Sequence, residues 1–274
     1  MEKRFIQLYS VKDAAFADFK GTLERLAKIG YTGVEFAMGY YGRYSAKELK
    51  DILAELNLEP ISTHITHDKA IEHLDYAQEL GIKYIIDPQA IFSTYEEALE
   101  LAKKLNAVGE ACAKRGIKFG YHNHRHEFLQ GNDGYLLETL ILNTNPEYVC
   151  FQLDVGWATC SGVDCPSFIK KHAGRFNLIH VKECAKVAGP EKARDLSKYR
   201  DADGNWNIPP EIIEEFKAQA AWNVAAGKGL IDWPTVVSAA LEQGAQGFIV
   251  EREYDYAGDI FKCVEEDCAF LKTL

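Results

Sequence analysis

Amphipathic stretches and short apolar runs alternate along this chain in a fixed order. Leu23-Glu24-Arg25-Leu26-Ala27-Lys28-Ile29-Gly30 is followed by Gly33-Val34-Glu35-Phe36, and residues 49–56, closed by Asn57, by Pro60-Ile61-Ser62-Thr63-His64. Ala77-Gln78-Glu79-Leu80-Gly81 precedes Lys83-Tyr84-Ile85-Ile86, Ala113-Lys114-Arg115-Gly116 precedes 117–122, and Leu241-Glu242-Gln243-Gly244 precedes 248–251. The first member of each pair has helical periodicity, and Gly or Asn suits the left-handed residue that ends a helix. The second member predicts a parallel strand buried on both faces under helices. Ser45-Ala46-Lys47-Glu48 and Thr94-Tyr95-Glu96-Glu97 carry capping-box patterns at two helix starts.

This rhythm predicts eight strands, near residues 5–9, 33–36, 60–64, 83–87, 117–122, 149–154, 177–182 and 247–251. Eight alternating units favour a single closed (β/α)₈ barrel over residues 1–274 rather than an open doubly wound sheet. No G-x-G-x-x-G follows the first strand, which disfavours a dinucleotide fold. One stretch breaks the rhythm: 64 residues separate Lys182 from Gly247. They hold the turn Asp201-Ala202-Asp203-Gly204-Asn205, three tryptophans (Trp206, Trp222, Trp233) and Gly227-Lys228-Gly229. An insertion leaving the catalytic end of a barrel strand is expected to act as a lid, here about residues 184–233.

Four of the runs end in metal-ligand residue types: His122 and His124 after Tyr121, Asp154 after Leu153, His180 after Ile179 and Glu251 after Val250. In a (β/α)₈ barrel these strand ends converge on the face where that fold does its chemistry. Alternation puts His122 with His124, His180 with Lys182 and Glu251 with Glu253 on shared faces. A charge turned toward the helix layer is costly to bury, so His180, Lys182 and Glu251 are expected at the lumen mouth. Asp154 is either a metal ligand or the cap of a following helix, and convergence with His180 and Glu251 favours the ligand. Gly156 beyond it permits close backbone approach to a ligand. Among the crowded histidines, His122 is the first choice of ligand, with Glu127 within reach from the loop, and His126 is expected only to hydrogen-bond neighbours. His64 and Glu35 either line the site or are satisfied polar residues near the rim. Lys228 is either an anion-binding residue or a solvated surface lysine.

Composition narrows the field. The net charge of -10 opposes binding to nucleic acid or to an anionic membrane. The seven cysteines form no C-x-x-C pair and are expected to be reduced, structural thiols, Cys160 and Cys165 included. The first residues hold no signal-like apolar core and no run approaches a bilayer span, so a cytoplasmic protein is expected.

Taken in order, Gln7-Leu8-Tyr9-Ser10-Val11, Gly30-Tyr31-Thr32-Gly33-Val34-Glu35, Tyr121-His122-Asn123-His124-x-x-Glu127-Phe128, Leu153-Asp154-Val155-Gly156-Trp157, His180-Val181-Lys182-Glu183, Gly227-Lys228-Gly229-Leu230-Ile231-Asp232 and Val250-Glu251 resemble the sugar phosphate isomerase/epimerase family with the xylose isomerase-like barrel. The resemblance covers essentially the whole chain. It implies one divalent metal (manganese, zinc, magnesium or cobalt) held by Glu, Asp, His and Glu from strands five to eight, which fall here on His122, Asp154, His180 and Glu251. His122 thus stands where many members have Glu. In epimerases and ketose isomerases of that family both Glu residues bind metal and shuttle protons. The departure leaves Glu127 or Lys182 to supply the missing function, or a one-sided elimination.

The expected enzyme is a metal-dependent sugar or sugar-phosphate isomerase/epimerase that moves a proton beside a polarised carbonyl. Glu251 is the expected base, with Glu127 or His122 opposite and Lys182 on the developing enediolate oxygen. Tyr9, Trp157 and Trp206 are expected to pack on the sugar, and His64, His124 and Lys228 to bind it. Keto-sugar dehydratase or lyase chemistry on the same site is the alternative. Further alternatives are an endonuclease IV-like nuclease, a sugar-binding barrel without activity, and Schiff-base chemistry at Lys182. Barrels of this kind often associate, so a homodimer is the expected assembly.

Overall fold

In a computed structural model that describes residues 1–132, 134–201, 205–253 and 258–274, eight parallel strands close a barrel in chain order. They are β1 (Phe5–Gln7), β2 (Gly33–Phe36), β3 (Glu59–His64), β4 (Tyr84–Asp87), β5 (Lys118–His122), β6 (Val149–Asp154), β7 (Phe176–Val181) and β8 (Gly247–Val250). Each predicted strand is present within a few residues. The first stops early because the Gln7 side chain accepts from Tyr9 N at 3.0 Å, starting a 3₁₀ turn over Leu8–Val11.

The helices end as their sequences dictate. Gly30, Asn57 and Gly81 close three of them in the left-handed region, and both capping boxes form, at Ser45 with Glu48 and at Thr94 with Glu97. Their apolar faces bury the outward residues of the strands, such as Phe151 and Phe176, in the main core.

Inside the barrel the lower lumen is filled by Phe5, Ile61, Tyr84, Ile86, Cys150, Leu178 and Ile249. The β2–β3 pairing shifts between Val34↔Pro60 and Glu35↔Ser62, and the extra residue, Ile61, joins this plug. Gly120 is needed here, since a Cβ on it would meet Ile86 Cδ1 at 2.5 Å and Cys150 Sγ at 3.1 Å. The plug supports a polar storey of Gln7, Glu35, Ser62, His64, Gln152 and His180, all buried.

The stretch between β7 and β8 is rooted at one carboxylate. Glu183 accepts from Cys184 N (3.0 Å), Gly227 N (2.8 Å), Ile231 N (3.4 Å) and Trp233 Nε1 (2.8 Å), so both ends of the insertion meet at the residue after Lys182. Between them runs the helix Pro210–Ala220. Of the turn expected at 201–205, residues 202–204 lie outside the described residues; Asn205 N donates to Asp201 Oδ1 at 2.8 Å. No helix among the described residues is long and apolar enough to cross a membrane.

Candidate metal centre and substrate cavity

Hydrogen-bond chemistry fixes the polar storey from Glu35 upward. A carboxylate only accepts, so every group around it must donate. Gln7 Nε2 and Ser62 Oγ donate at 2.7 and 2.6 Å, Gln152 Nε2 at 2.7 Å, and His180 Nε2 at 2.7 Å. His64 Nε2 lies between Gln152 Oε1 (2.8 Å) and Glu35 Oε1 (3.1 Å) and donates to these acceptors. Burial would push the Glu35 carboxyl up, but His64 and His180 outweigh it and hold it well below the usual carboxylate range. With its amide nitrogen committed to Glu35, Gln152 turns its oxygen to His122 Nδ1 at 3.1 Å. His122 therefore carries its proton on Nδ1 and leaves Nε2 as a free donor atom. His180 has a carboxylate at each nitrogen; burial disfavours its charge, but Glu35 and Glu251 outweigh burial and raise it to about 10, so its Nδ1 would release a proton on binding a cation.

These two nitrogens face Asp154 and Glu251. His180 Nδ1 is 3.9 Å from Asp154 Oδ2 and 3.4 Å from Glu251 Oε2, and His122 Nε2 is 4.0 Å from Asp154 Oδ2. One donor atom from each of His122, Asp154, His180 and Glu251 lies within 4.8 Å of the others, and all four residues are buried. Asp154 is at once cap and candidate ligand. Its Oδ1 accepts Trp157 N at 2.7 Å, starting the helix Val155–Cys160, while its buried Oδ2 accepts no hydrogen bond among the described residues. Asn123 holds the segment in place, donating to Asp154 O and accepting from Asp154 N.

Each donor pair sits at a separation that one cation with bonds of about 2.0–2.2 Å can span with slight adjustment. A buried carboxylate oxygen without a hydrogen-bond donor is also expensive, and Lys182 Nζ, 3.7 Å from Asp154 Oδ2, meets it only in part. Burial pushes Asp154 up to about 7. It holds His122 well below the usual histidine range, neutral as a ligand must be. The residues therefore fit a divalent ion with a mixed nitrogen and oxygen donor set. A second grouping, His64 with His122 and His180, is less suited, because His64 Nε2 and His180 Nε2 are turned to Glu35.

Lys182 stands beside this set. Its Nζ is 3.0 Å from Glu251 Oε2, 3.0 Å from Glu253 Oε1 and 3.7 Å from Asp154 Oδ2, and it lies over the Trp157 ring. Burial disfavours the ammonium, but the three carboxylates outweigh it and hold the lysine charged, which opposes a Schiff-base role. Gly156 approaches Lys182 rather than a ligand: a Cβ there would meet Lys182 O at 2.7 Å.

Above the cluster is a cavity of about 210 Å³ lined by Tyr9, His64, His122, His124, Glu251 and Glu253. Beside it lies a second of about 490 Å³ that shares Tyr9, Gln89, His124 and Glu253 and adds Trp157 and the insertion. Tyr9, His64, His124 and Trp157 thus line cavity where substrate contacts were expected.

Three expectations need correction. Glu127 does not reach the cluster: it is buried in its own loop, accepting from Tyr121 Oη (2.8 Å) and His124 N (2.9 Å) and contacting His126 Nδ1 (3.2 Å). Lys228 is exposed, on a loop tied to Glu183, and lines neither cavity. Trp206 is also exposed and bridges to Arg200 instead of the cavity. Gln7, Ser62 and Gln152 were missed, although alternation puts Gln152 on the face of Asp154.

A family model described as Xylose isomerase-like TIM barrel matches residues 23–274. A protein named inosose dehydratase from Geobacillus thermodenitrificans is 27% identical over 204 residues, 68% of this chain and 62% of that protein. This chain therefore spans less than two thirds of that relative. Among solved structures, a sugar phosphate isomerase/epimerase from Parabacteroides distasonis superposes with a TM-score of 0.76 at 25% identity, covering 99% of this chain and 94% of that one. A structure described as IOLI protein with a binding zinc atom superposes at 0.70 with 16% identity, over 99% and 95%.

Proposed function

This chain belongs to the xylose isomerase-like TIM-barrel family, and from that premise we propose a metal-dependent dehydratase that removes water from a keto-sugar or ketocyclitol. The arrangement of carboxylates carries the reading. Glu251 and Glu253 flank Lys182 at the β7–β8 side of the mouth, whereas β5 and β3 contribute His122 and His64. Among the described residues no second carboxylate faces Glu251 from β5, where a two-sided proton shuttle would need one. The inosose dehydratase relative supports the same direction.

His122, Asp154, His180 and Glu251 would hold the ion, which when bound polarises the substrate carbonyl and acidifies the neighbouring C–H bond. The Glu251 carboxylate takes that proton, and the electron pair moves onto the carbonyl oxygen. Lys182 meets the negative charge that collects there. As the pair returns, the C–O bond at the β carbon breaks and the proton taken by Glu251 passes to the departing hydroxyl, so that water and an unsaturated ketone are formed and Glu251 is a carboxylate again. The isomerase or epimerase reaction shares the first proton transfer and differs in returning the proton to carbon.

Incubating the metal-loaded protein with keto-cyclitols and keto-sugars in deuterium oxide distinguishes the two. A rising conjugated-ketone absorbance with matching water loss is expected. Deuterium incorporation at carbon with inversion or carbonyl migration, and no unsaturated product, overturns the dehydratase reading.

A further inference from the structure

The outer cavity is more than twice the volume of the chamber over the metal cluster, and the two are neighbours that share Tyr9, Gln89, His124 and Glu253 as lining. A single ring reacting over the cluster leaves this outer space unused. Its lining is amphipathic. Tyr9 and Trp157 from the barrel and Phe216 from the helix Pro210–Ala220 supply aromatic faces, while Gln89 and Gln219 supply amides. Aromatic faces suit the C–H surface of a sugar ring, and amides suit its hydroxyls.

Charge narrows the ligand further. Three cations line the outer cavity: Arg125 pairs with Glu191 at 3.0 Å, Arg194 pairs with Glu215 at 2.7 Å, and Lys192 is exposed to solvent. The arginine charges are spent within the protein and the Lys192 ammonium is hydrated at the surface, so no buried unpaired cation among the lining residues is built to meet a phosphate or carboxylate substituent. Unsatisfied groups cluster along the same wall. His124 Nδ1, Trp157 Nε1 and both amide atoms of Asn223 have no hydrogen-bond partner among the described residues. Asn223 is 6% exposed and sits in a crevice that shares Trp157, Gln219 and Glu253 with the outer cavity. Its amide asks for both a donor and an acceptor, which hydroxyls provide and an anionic oxygen does not.

We propose that the outer cavity is a subsite for a second, neutral sugar ring linked to the reacting one, so that the substrate is a glycoside rather than a phosphorylated monosaccharide. This rests on the reading of the metal site above, with the reacting ketone held in the inner chamber.

Binding of unreactive probes tests it. Calorimetry on the metal-loaded protein would compare glucose, glucose 6-phosphate and four disaccharides of different linkage: maltose, cellobiose, sucrose and trehalose. At least one disaccharide is expected to bind about tenfold more tightly than glucose, the scale of one good aromatic contact. Phe216→Ala and Gln219→Ala are expected to erase that advantage without changing metal content. No disaccharide advantage, or tightest binding by glucose 6-phosphate, overturns the subsite. Elemental analysis of the same samples separates the two failures. A metal-free protein overturns the underlying reading of the site, whereas a metal-bound one without disaccharide preference overturns the subsite alone.

Discussion

His180 Nε2 donates to Glu35 Oε1 across 2.7 Å at the centre of the barrel, and this bond decides which nitrogen of His180 faces Asp154 and Glu251. A glutamine at position 35 keeps the shape but cannot satisfy the four side chains that donate to it together with His64. Glu35→Gln is therefore expected to weaken metal binding about 10- to 100-fold, as loss of a ligand's hydrogen-bonded support commonly does. Titration of the metal-free protein with zinc or manganese measures it. Unchanged affinity would mean that His180 is oriented by packing alone.

Asp154 Oδ2 accepts no hydrogen bond among the described residues and has only the Lys182 ammonium, 3.7 Å away, to meet its charge. Asp154→Ala is expected to leave the purified chain without its metal ion and without turnover. Elemental analysis beside the native protein, expected to hold about one ion per chain, is the check. Treatment with a chelator should reproduce the loss of activity, and adding metal back should reverse it in the native protein alone.

Lys182 neutralises the buried carboxylates of Asp154 and Glu251 and the half-buried carboxylate of Glu253. Lys182→Met strands that charge, and breaking a buried pair in this way costs about 3–5 kcal/mol. Denaturant unfolding should show the loss. Saturating divalent metal should recover part of it, because the cation meets two of the same carboxylates. Equal stability of variant and native protein in metal-free buffer would contradict the arrangement.

Glu127 offers a contrast. Its carboxylate holds Tyr121 and the backbone of His124 and lies apart from the cluster. Glu127→Ala leaves those donors unpaired and should destabilise the chain by about 1–3 kcal/mol. Glu127→Gln should keep most of the turnover. A collapse of kcat in a well-folded Glu127→Gln protein would restore the acid–base role expected for this residue.

His67 provides a pH dependence outside the ligand set. Its Nδ1 lies 2.6 Å from Asp87 Oδ2, and this hydrogen bond raises its pKa against the effect of burial. A histidine raised on folding contributes stability that is complete below its unfolded value, about 6.5, and is lost as pH rises through the folded value. The difference in melting temperature between native protein and His67→Asn should therefore be largest in mild acid and shrink above neutrality. A difference that grows with pH would reverse the assigned sign.

Much of the scaffold was legible because a strand buried on both faces has a simple signature, and because a charged residue at its end has few places to go. His122, Asp154, His180 and Glu251 were found in this way, and they meet. Glu35 was harder. Its position in β2 suggested the rim or the site, whereas the sheet closes so that it sits beneath the cluster and collects donors from β1, β3, β6 and β7. That arrangement depends on inter-strand registers, including the shifts at β2–β3 and β6–β7, which single-strand patterns do not contain. Glu127 misled for a related reason: nearness in sequence to His122 says nothing about which way a loop carboxylate turns. Lys228 and Trp206 had plausible chemistry, but the insertion carrying them folds by contacts its own sequence does not announce.

Because the first and last turns of the insertion converge on Glu183, the polypeptide between them leaves and rejoins the barrel at one point. The distance between its ends is set by the reach of one side chain, next to the β7–β8 register. The wall that this segment adds to the outer cavity is therefore hung from a single carboxylate.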